Sequence, residues 1–213
     1  MPVIGLLTHY LELYDRLVPA ARTRMEAFGS LIAGELRDIG AQVIESGICR
    51  VRGEFVAAVE HMEHSGAEII VSLHLAYSPS LESADALAAS KLPLVILDTT
   101  PASSYGPDQD PEELLYNHGI HGVQDLCNVL IRRGRRFEIE AGHWRESDVL
   151  ERVMAWARAA ATVRRFTTAR VGRIGEPFDG MGDFAVPEDT LRRMLGITTV
   201  ACPFERLASF LPA

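Results

Sequence analysis

The chain has 213 residues, of which 47% are apolar and 23% are charged, a composition typical of a globular protein with a sizeable core. Its 29 acidic and 21 basic residues give a net charge of −8, which argues against nucleic acid and anionic membranes as partners. Three widely spaced cysteines without a CxxC pair indicate reduced thiols, and neither a secretion signal nor a membrane span is recognisable, so we expect a cytoplasmic protein.

Short apolar runs alternate with longer segments of helical spacing. The runs predicted as strands are Val3–Leu7, Gln42–Glu45, Glu68–Leu75, Leu92–Leu97 and Arg136–Ala141. The segments predicted as helices are Leu17–Ile39, Glu54–His64, Glu82–Ser90, Gly119–Arg132 and Ser147–Arg165. Strands separated by helices of about ten or more residues indicate a parallel sheet covered on both faces. We therefore predict an α/β fold with a doubly wound parallel sheet, flavodoxin-like or Rossmann-like.

The start of a second α/β domain is predicted after this sheet. Its predicted elements are a strand at Val171–Ile174, a glycine-rich loop at Gly175–Gly182, a helix from Pro187 to Leu195 and a strand at Ile197–Ala201. One β-α-β unit is too small to bury its own apolar faces. We therefore predict an N-terminal domain over residues 1–167 and the incomplete beginning of a central domain over residues 168–213.

Polar and aromatic side chains gather at the carboxyl ends of the predicted strands, where ligands bind in doubly wound sheets. The segments at these ends are Thr8–Tyr14, His74–Pro79, Asp98–Pro101 and Gly142–Trp144, together with Asn117–Gly122 at the start of a helix. We interpret this rim of the sheet as a ligand site.

Two histidines at the rim raise the question of metal binding. His118 and His121 are close enough in sequence to share an ion, and Asp125 lies one turn beyond them. Gly119 and Gly122 argue against this, because they weaken the helix that would hold the ligands. No G-x-S-x-G elbow, G-x-G-x-x-G turn or P-loop supports nucleophilic catalysis or nucleotide binding.

The order of the rim motifs resembles the front of the L-arabinose and L-fucose isomerase-like proteins, a family of cytosolic aldose–ketose isomerases. The matching motifs are T-x-x-x-x-L-Y (Thr8, Leu13, Tyr14), L-H-x-x-Y-S-P (Leu73 to Pro79), N-x-x-x-H-G (Asn117, His121, Gly122), G-H-W (Gly142 to Trp144) and R-x-G (Arg173 to Gly175) followed by Met181. The resemblance covers nearly the whole chain. Leu11 and His118 stand where the arabinose members carry glutamine, so the resemblance does not identify the sugar.

The resemblance implies that this chain is the N-terminal part of such an isomerase, inactive alone. The catalytic glutamates and the histidines that hold Mn²⁺ would then lie further along, and neither catalytic nor metal-binding residues are expected in this chain. It also implies a homo-oligomer in which the N-terminal domain closes over a neighbour's active site. Tyr77, His118, His121 and Met181 would line that shared sugar pocket, while Leu13 and Tyr14 would serve their own subunit's site. His143 is expected to be structural, bonded to a backbone carbonyl.

Two other functions fit the same residues. Leu92–Asp98 looks like a strand of the periplasmic-type sugar-binding folds, which suits a non-catalytic sugar-binding or regulatory module. A small enzyme could instead use His121 with Asp125 or Asp98 as an acid–base pair.

Overall fold

A computed structural model describes residues 1–176, 178–183 and 186–210 of the chain. The chain divides into two compact units, Met1–Ala161 and Thr162–Ala213. Pro177 of the glycine-rich loop lies outside the described residues. Within the described ranges, no helix combines the length and apolar character needed to cross a membrane. The assignment of the second unit to a central domain stays a prediction.

The first unit alternates strands and helices in the predicted order. Its strands are β1 (Val3–His9), β2 (Gln42–Cys49), β3 (Ile69–His74), β4 (Leu94–Asp98) and β5 (Glu138–Ala141). Its helices are α1 (Glu12–Leu17), α2 (Ala20–Asp38), α3 (Arg52–His64), α4 (Ser80–Ala89), α5 (Leu114–Asn117), α6 (Gly119–Arg132) and α7 (Val149–Thr168), the last of which continues into the second unit. A single 3-10 turn, Pro111–Glu113, precedes α5.

The five strands form one parallel sheet in the order β2-β1-β3-β4-β5, which confirms the predicted doubly wound fold. The strand order reverses between β1 and β3, and this is where ligands bind in flavodoxin-like sheets. The register at this position pairs His9, the last residue of β1, with His74, the last residue of β3.

Helices cover both faces of the sheet, so the central strands are apolar without alternation. One face packs on α2 and α7 through side chains such as Leu6 and Val71. The other face packs on α3, α4 and α6 through side chains such as Leu7 and Ile70. Each such aliphatic side chain contributes about 1.5–3 kcal/mol when fully buried, so these two layers supply most of the stability of the unit.

Strand β5 ends the sheet and is short and polar. Its four residues include Glu138 and Glu140, and three of the four are exposed. The Glu140 carboxylate accepts hydrogen bonds from Arg152 Nε at 2.6 Å and from Trp156 Nε1 at 2.8 Å. Both donors lie on α7, so this helix is fastened to the last strand.

The helix predicted over Leu17–Ile39 is α2, which begins only at Ala20, because Pro19 separates it from α1, a helix that was not predicted. A proline in a helix interior removes one backbone donor and clashes with the preceding turn. The segment between Thr8 and Tyr14, predicted as a turn, contains the start of α1.

The second unit contains the predicted β-α-β arrangement. Strand β6 (Arg170–Ile174) pairs in parallel with β7 (Thr198–Cys202), and α8 (Glu188–Leu195) connects them. A further helix, α9 (Phe204–Ala208), was not predicted.

The start of α6 approaches the end of β3 very closely. A Cβ atom at Gly119 would lie 2.6 Å from the backbone oxygen of His74, and one at Gly122 would lie 2.5 Å from the Cδ2 atom of its ring. Cβ atoms essentially never come within 3.0 Å of another residue's heavy atoms. The glycines that seemed to weaken this helix are therefore what allows it to pack against His74.

Replacing Gly122 with alanine is expected to destabilise the fold by about 1–3 kcal/mol, because the new methyl group overlaps the His74 ring. The same substitution should cost less in a His74→Ala background, where the obstructing ring is gone. Urea denaturation of the single and double variants measures this coupling free energy.

Gly119→Ala is the matched control for this experiment. Its added methyl group meets the backbone oxygen of His74, which the His74→Ala substitution leaves in place. If His74→Ala relieved both glycine substitutions equally, α6 would not approach the His74 ring in the way described.

Candidate functional site

The carboxyl edge of the sheet is less exposed than the sequence suggested. His9, Tyr10, His74 and Ser78 were predicted on the ligand rim, and all four are buried, with exposed fractions of 0–3%. The prediction was wrong for His9 and His74 because α3 and α6 cover the ends of β1 and β3, and for Tyr10 because it packs in the layer of α2 and α7. They form the floor beneath the rim.

Three of the predicted pocket residues, Tyr14, His118 and His121, are in contact above this floor. We call these three residues and the nearby Tyr77 the rim cluster. Tyr14 Oη lies 3.2 Å from His118 Nε2, although the two residues are 104 positions apart in the sequence. The rings of His118 and His121 meet edge to face, with their centroids 5.9 Å apart. Tyr77 lies close enough to Tyr14 for the two phenols to interact electrostatically.

The hydrogen bond between Tyr14 and His118 brings together two residues that the resemblance assigns to different sites. Tyr14 was assigned to its own subunit's site and His118 to the pocket of a neighbour. The two side chains are in direct contact within one chain, and the site that each one serves stays a prediction.

The protonation of this pair suits a ligand with hydroxyl groups. Burial, and to a lesser degree the neighbouring His121, lower the pKa of His118, so its neutral form is favoured. Burial, followed by the proximity of Tyr77, raises the pKa of Tyr14, so the phenol keeps its proton. Tyr14 can then donate to His118 or accept from it, and the free Nδ1 of His118 presents either a donor or an acceptor.

The donor and acceptor roles of the two His121 ring nitrogens follow from a contact with the backbone. The Nδ1 atom lies 3.2 Å from the backbone oxygen of His118, and a carbonyl oxygen can only accept. The Nδ1 atom of His121 therefore carries the hydrogen, and in the neutral ring Nε2 keeps a lone pair. Because the side chain is exposed, this nitrogen can accept a hydrogen bond from a ligand hydroxyl.

Helix α1 is held in place by an ion network next to Tyr14. The carboxylate of Asp15 accepts hydrogen bonds from Arg50 at 2.7 Å and from Arg22 at 3.2 Å. Burial favours the neutral acid, but the two guanidinium groups outweigh it and lower the pKa of Asp15. Asp15 thus ties α1 to the segment after β2 and to α2, which fixes the position of Tyr14.

The segment that carries His118 is also fastened at two points. Arg24 on α2 donates two hydrogen bonds of 2.6 Å to the Glu113 carboxylate, and its guanidinium lies 3.8 Å from the ring centroid of Tyr116. The Asn117 side chain accepts from Ala102 N and donates to Glu113 O, each at 2.9 Å. Sequence motifs contained Asn117 but gave no sign of Arg24.

The floor contains a stacked histidine pair that the sequence analysis missed. The rings of His9 and His74 are 4.2 Å apart and nearly parallel, and His9 also lies against Phe55. His9 Nε2 shares a hydrogen bond of 2.8 Å with Ser72 Oγ. Within the described part of the chain, both ring nitrogens of His74 are buried without a hydrogen-bond partner. The sequence feature that could have revealed this pair is a histidine at the end of each of two neighbouring strands.

His143 is structural, as predicted. Its Nε2 lies 3.3 Å from the backbone oxygen of Pro101, so it donates there. Its Nδ1 accepts from the backbone N–H groups of Arg145 and Glu146. The imidazole thereby joins the loop after β4 to the loop after β5.

The residues that the structure describes do not form a metal site. In the described ranges, no three His, Cys, Asp or Glu side chains are grouped so that they could hold an ion. Asp125, the third residue of the metal hypothesis, accepts a hydrogen bond of 3.2 Å from Ser80 N at the start of α4. The same contact removes support for an acid–base pair of His121 with Asp125.

Two predicted pocket residues lie away from these contacts. Leu13 is on α1 beside Tyr14 and is 38% exposed. Met181 lies in the second unit and is 46% exposed. Their place in a pocket stays a prediction.

Comparison with known proteins agrees with the motifs. No family model matches the chain. The L-arabinose isomerase of Herpetosiphon aurantiacus is 33% identical over 79 residues, which make up 37% of this chain and 15% of that enzyme. Those of Halalkalibacterium halodurans and Thermotoga petrophila are 30% and 28% identical over 57% and 52% of this chain. The resemblance to L-arabinose isomerases is confirmed. The chain spans only 15–24% of the length of these relatives.

The stacked histidine pair makes the fold sensitive to acid. Burial lowers the pKa of His74 to about 3, and burial with the neighbouring His74 lowers that of His9 well below its ordinary value of 6.5. Below pH 6.5 the unfolded chain binds more protons than the folded one. As the pH falls, the free energy of unfolding therefore decreases by up to about 1.4 kcal/mol per pH unit for each histidine. Urea denaturation at pH 7.5, 6.5 and 5.5 should show this decrease.

A His74→Met variant should have a shallower pH dependence over the same interval, because the apolar side chain cannot be protonated. His61→Met, at an exposed position on α3, is the matched control and should keep the slope of the wild type. An unchanged slope in His74→Met would contradict the assignment. The paired carboxylates such as Asp15 lose their contribution only at lower pH, because their pKa values are depressed.

Proposed function

We propose that this chain is the N-terminal portion of an aldose–ketose isomerase that acts on a sugar of the L-arabinose or L-fucose type. Its role is to supply part of the sugar pocket and of the subunit contacts. The observation that carries the proposal is the rim cluster, in which Tyr14 bonds to His118 beside His121 and Tyr77. The similarity to L-arabinose isomerases supports the same assignment.

The chemistry of the rim cluster suits a polyol. A sugar presents many hydroxyls, each of which donates one hydrogen bond and accepts others. His121 Nε2 offers an acceptor, while the Tyr14–His118 pair can offer a donor or an acceptor as the ligand requires. Tyr77 and Leu13 add apolar surface for the carbon face of the sugar. The neutral imidazole of His118 and the phenol of Tyr14 would bind a neutral ligand without burying a charge.

The reaction itself requires both a proton relay and a metal ion. Moving a hydrogen between C1 and C2 of an open-chain sugar needs a carboxylate to relay the proton, and Mn²⁺ would polarise the carbonyl and hydroxyl. Glu12 starts α1 and Asp98 ends β4, so these acids lie on different elements. We propose that Mn²⁺ and the catalytic carboxylates are held by residues outside this chain, which would be inactive alone.

The proposal includes a homo-oligomer with a pocket shared between subunits, to which Met181 would also contribute. The contact between Tyr14 and His118 supports a proposal in which the rim cluster faces a single active site. A cytoplasmic setting is part of the proposal, and three free cysteines support it.

Titration calorimetry of this chain with L-arabinose and L-fucose tests the proposed half-site. Binding is expected to be weak, in about the millimolar range, because half of the pocket is absent. Tyr14→Phe and His121→Leu should each weaken it about three- to tenfold, since each removes one hydrogen-bonding group. With or without Mn²⁺, this chain alone should form no ketose.

Tyr105→Phe and His61→Leu are the matched controls, because both positions are exposed and lie outside the rim cluster. The proposal fails if neither sugar binds, or if the rim variants bind like these controls. Tight, rim-dependent binding by this chain alone would instead favour a non-catalytic sugar-binding module.

A further inference from the structure

A cavity of about 490 Å³ opens beside the rim cluster, between the start of α2 and the segment around α5. Most of its lining is apolar: Val18, Ala20, Ala21, Leu114 and Leu115. Val18 and Leu114 are 39% and 52% exposed, so apolar surface faces solvent here. The volume falls within the range of about 300–1,000 Å³ that is typical of small-molecule sites.

His118 joins this cavity to the rim cluster. The residue is part of the cavity lining, and its Nε2 is bonded to Tyr14 Oη. A ligand held by the imidazoles would therefore have one end among hydrogen-bonding groups and its other end at the entrance of an apolar space. Glu112 is the one acidic residue in the lining, so an anionic group at that end would be repelled.

The walls of the cavity are held firmly enough to form a binding site. Leu115 and Tyr116 pack against the core, and Arg24 fixes Tyr116 and Glu113 from α2. Ala21 on the opposite wall is 2% exposed and belongs to the same core. Both walls therefore rest on the same packed layer.

We propose that the pocket takes a sugar that carries an uncharged apolar substituent. The hydroxyl-bearing part lies on the rim cluster, and the apolar group fills the cavity lined by Ala20, Leu114 and Leu115. This inference rests on the proposed function and deepens it, because it names the class of sugar: a neutral aldose that bears an uncharged ether or ester. An unsubstituted pentose would leave most of the cavity unfilled.

Two ethers of one sugar test the inference directly. 5-O-Methyl-L-arabinose and 5-O-benzyl-L-arabinose have the same hydroxyl groups and a free C1, and they differ only in the phenyl ring. Calorimetry with the wild-type chain should show that the benzyl ether binds about tenfold or more tightly than the methyl ether, because the ring leaves water on binding.

Two variants locate the difference in the cavity. Ala20→Trp should fill the space and abolish the preference for the benzyl ether. Ala27→Trp makes the same change at another exposed position of α2, outside the cavity lining, and should keep the preference. Leu114→Ser, at an exposed position, should reduce the preference for the benzyl ether about fivefold. This variant replaces Ala20→Trp as the test if Ala20→Trp does not fold.

The outcomes separate the two proposals. If L-arabinose and the methyl ether bind but the benzyl ether binds no more tightly, this inference is overturned and the sugar site stands. The inference is also overturned if the preference survives in both Ala20→Trp and Leu114→Ser. If none of the three sugars binds, the rim cluster is not a sugar site and both proposals fall.

Discussion

The parallel pairing of β1 with β3 determines how the histidines and the start of α6 are arranged at the carboxyl edge of the sheet. It places His9 opposite His74, and the two rings stack in the interior. Helix α6 can begin where it does only because Gly119 and Gly122 lie against His74. Residues three apart on a helix share a face, so these glycines face inward while the residues next to them are directed elsewhere.

In this arrangement His9 and His74 are buried, and His118 and His121 lie above them at the rim. His118 and His121 each stand next to one of the two glycines, and both remain accessible to a ligand. The buried pair is costly, because unpaired polar nitrogens in an apolar interior lose their hydration. Natural proteins tolerate such local conflicts most often where function requires them. The buried His9 and His74 therefore lower the stability of the fold, while the rim cluster above them has a fixed geometry.

Most of the fold could be predicted from short-range patterns. Apolar runs located all five strands of the first sheet, and the helical spacing located α6 with both of its bounds. Helix α1 was missed because its six residues bury no side chain fully and therefore show no apolar periodicity. Pro19 marked the break between α1 and α2, but the continuing spacing of apolar residues concealed it.

The site could be predicted as a set of residues but not as a geometry. The motifs named Tyr14, Tyr77 and His121, and the resemblance added His118. The contact between Tyr14 and His118 nevertheless depends on chain segments far apart, which no periodicity reveals. His74 was predicted on the surface because a polar residue at a strand end commonly lies there. Its burial follows from the glycines of α6, which have no side chains to keep the helix away.

The polar edge of β5 restricts how copies of this molecule can associate. An open edge offers unpaired backbone groups that another strand can extend, and charged side chains on a short strand oppose such extension. Glu138 and Glu140 would meet their own counterparts if two sheets were joined there, and α7 is tied to Glu140 besides. Extension of the sheet past β5 is therefore disfavoured, and β5 stays the last strand at this edge.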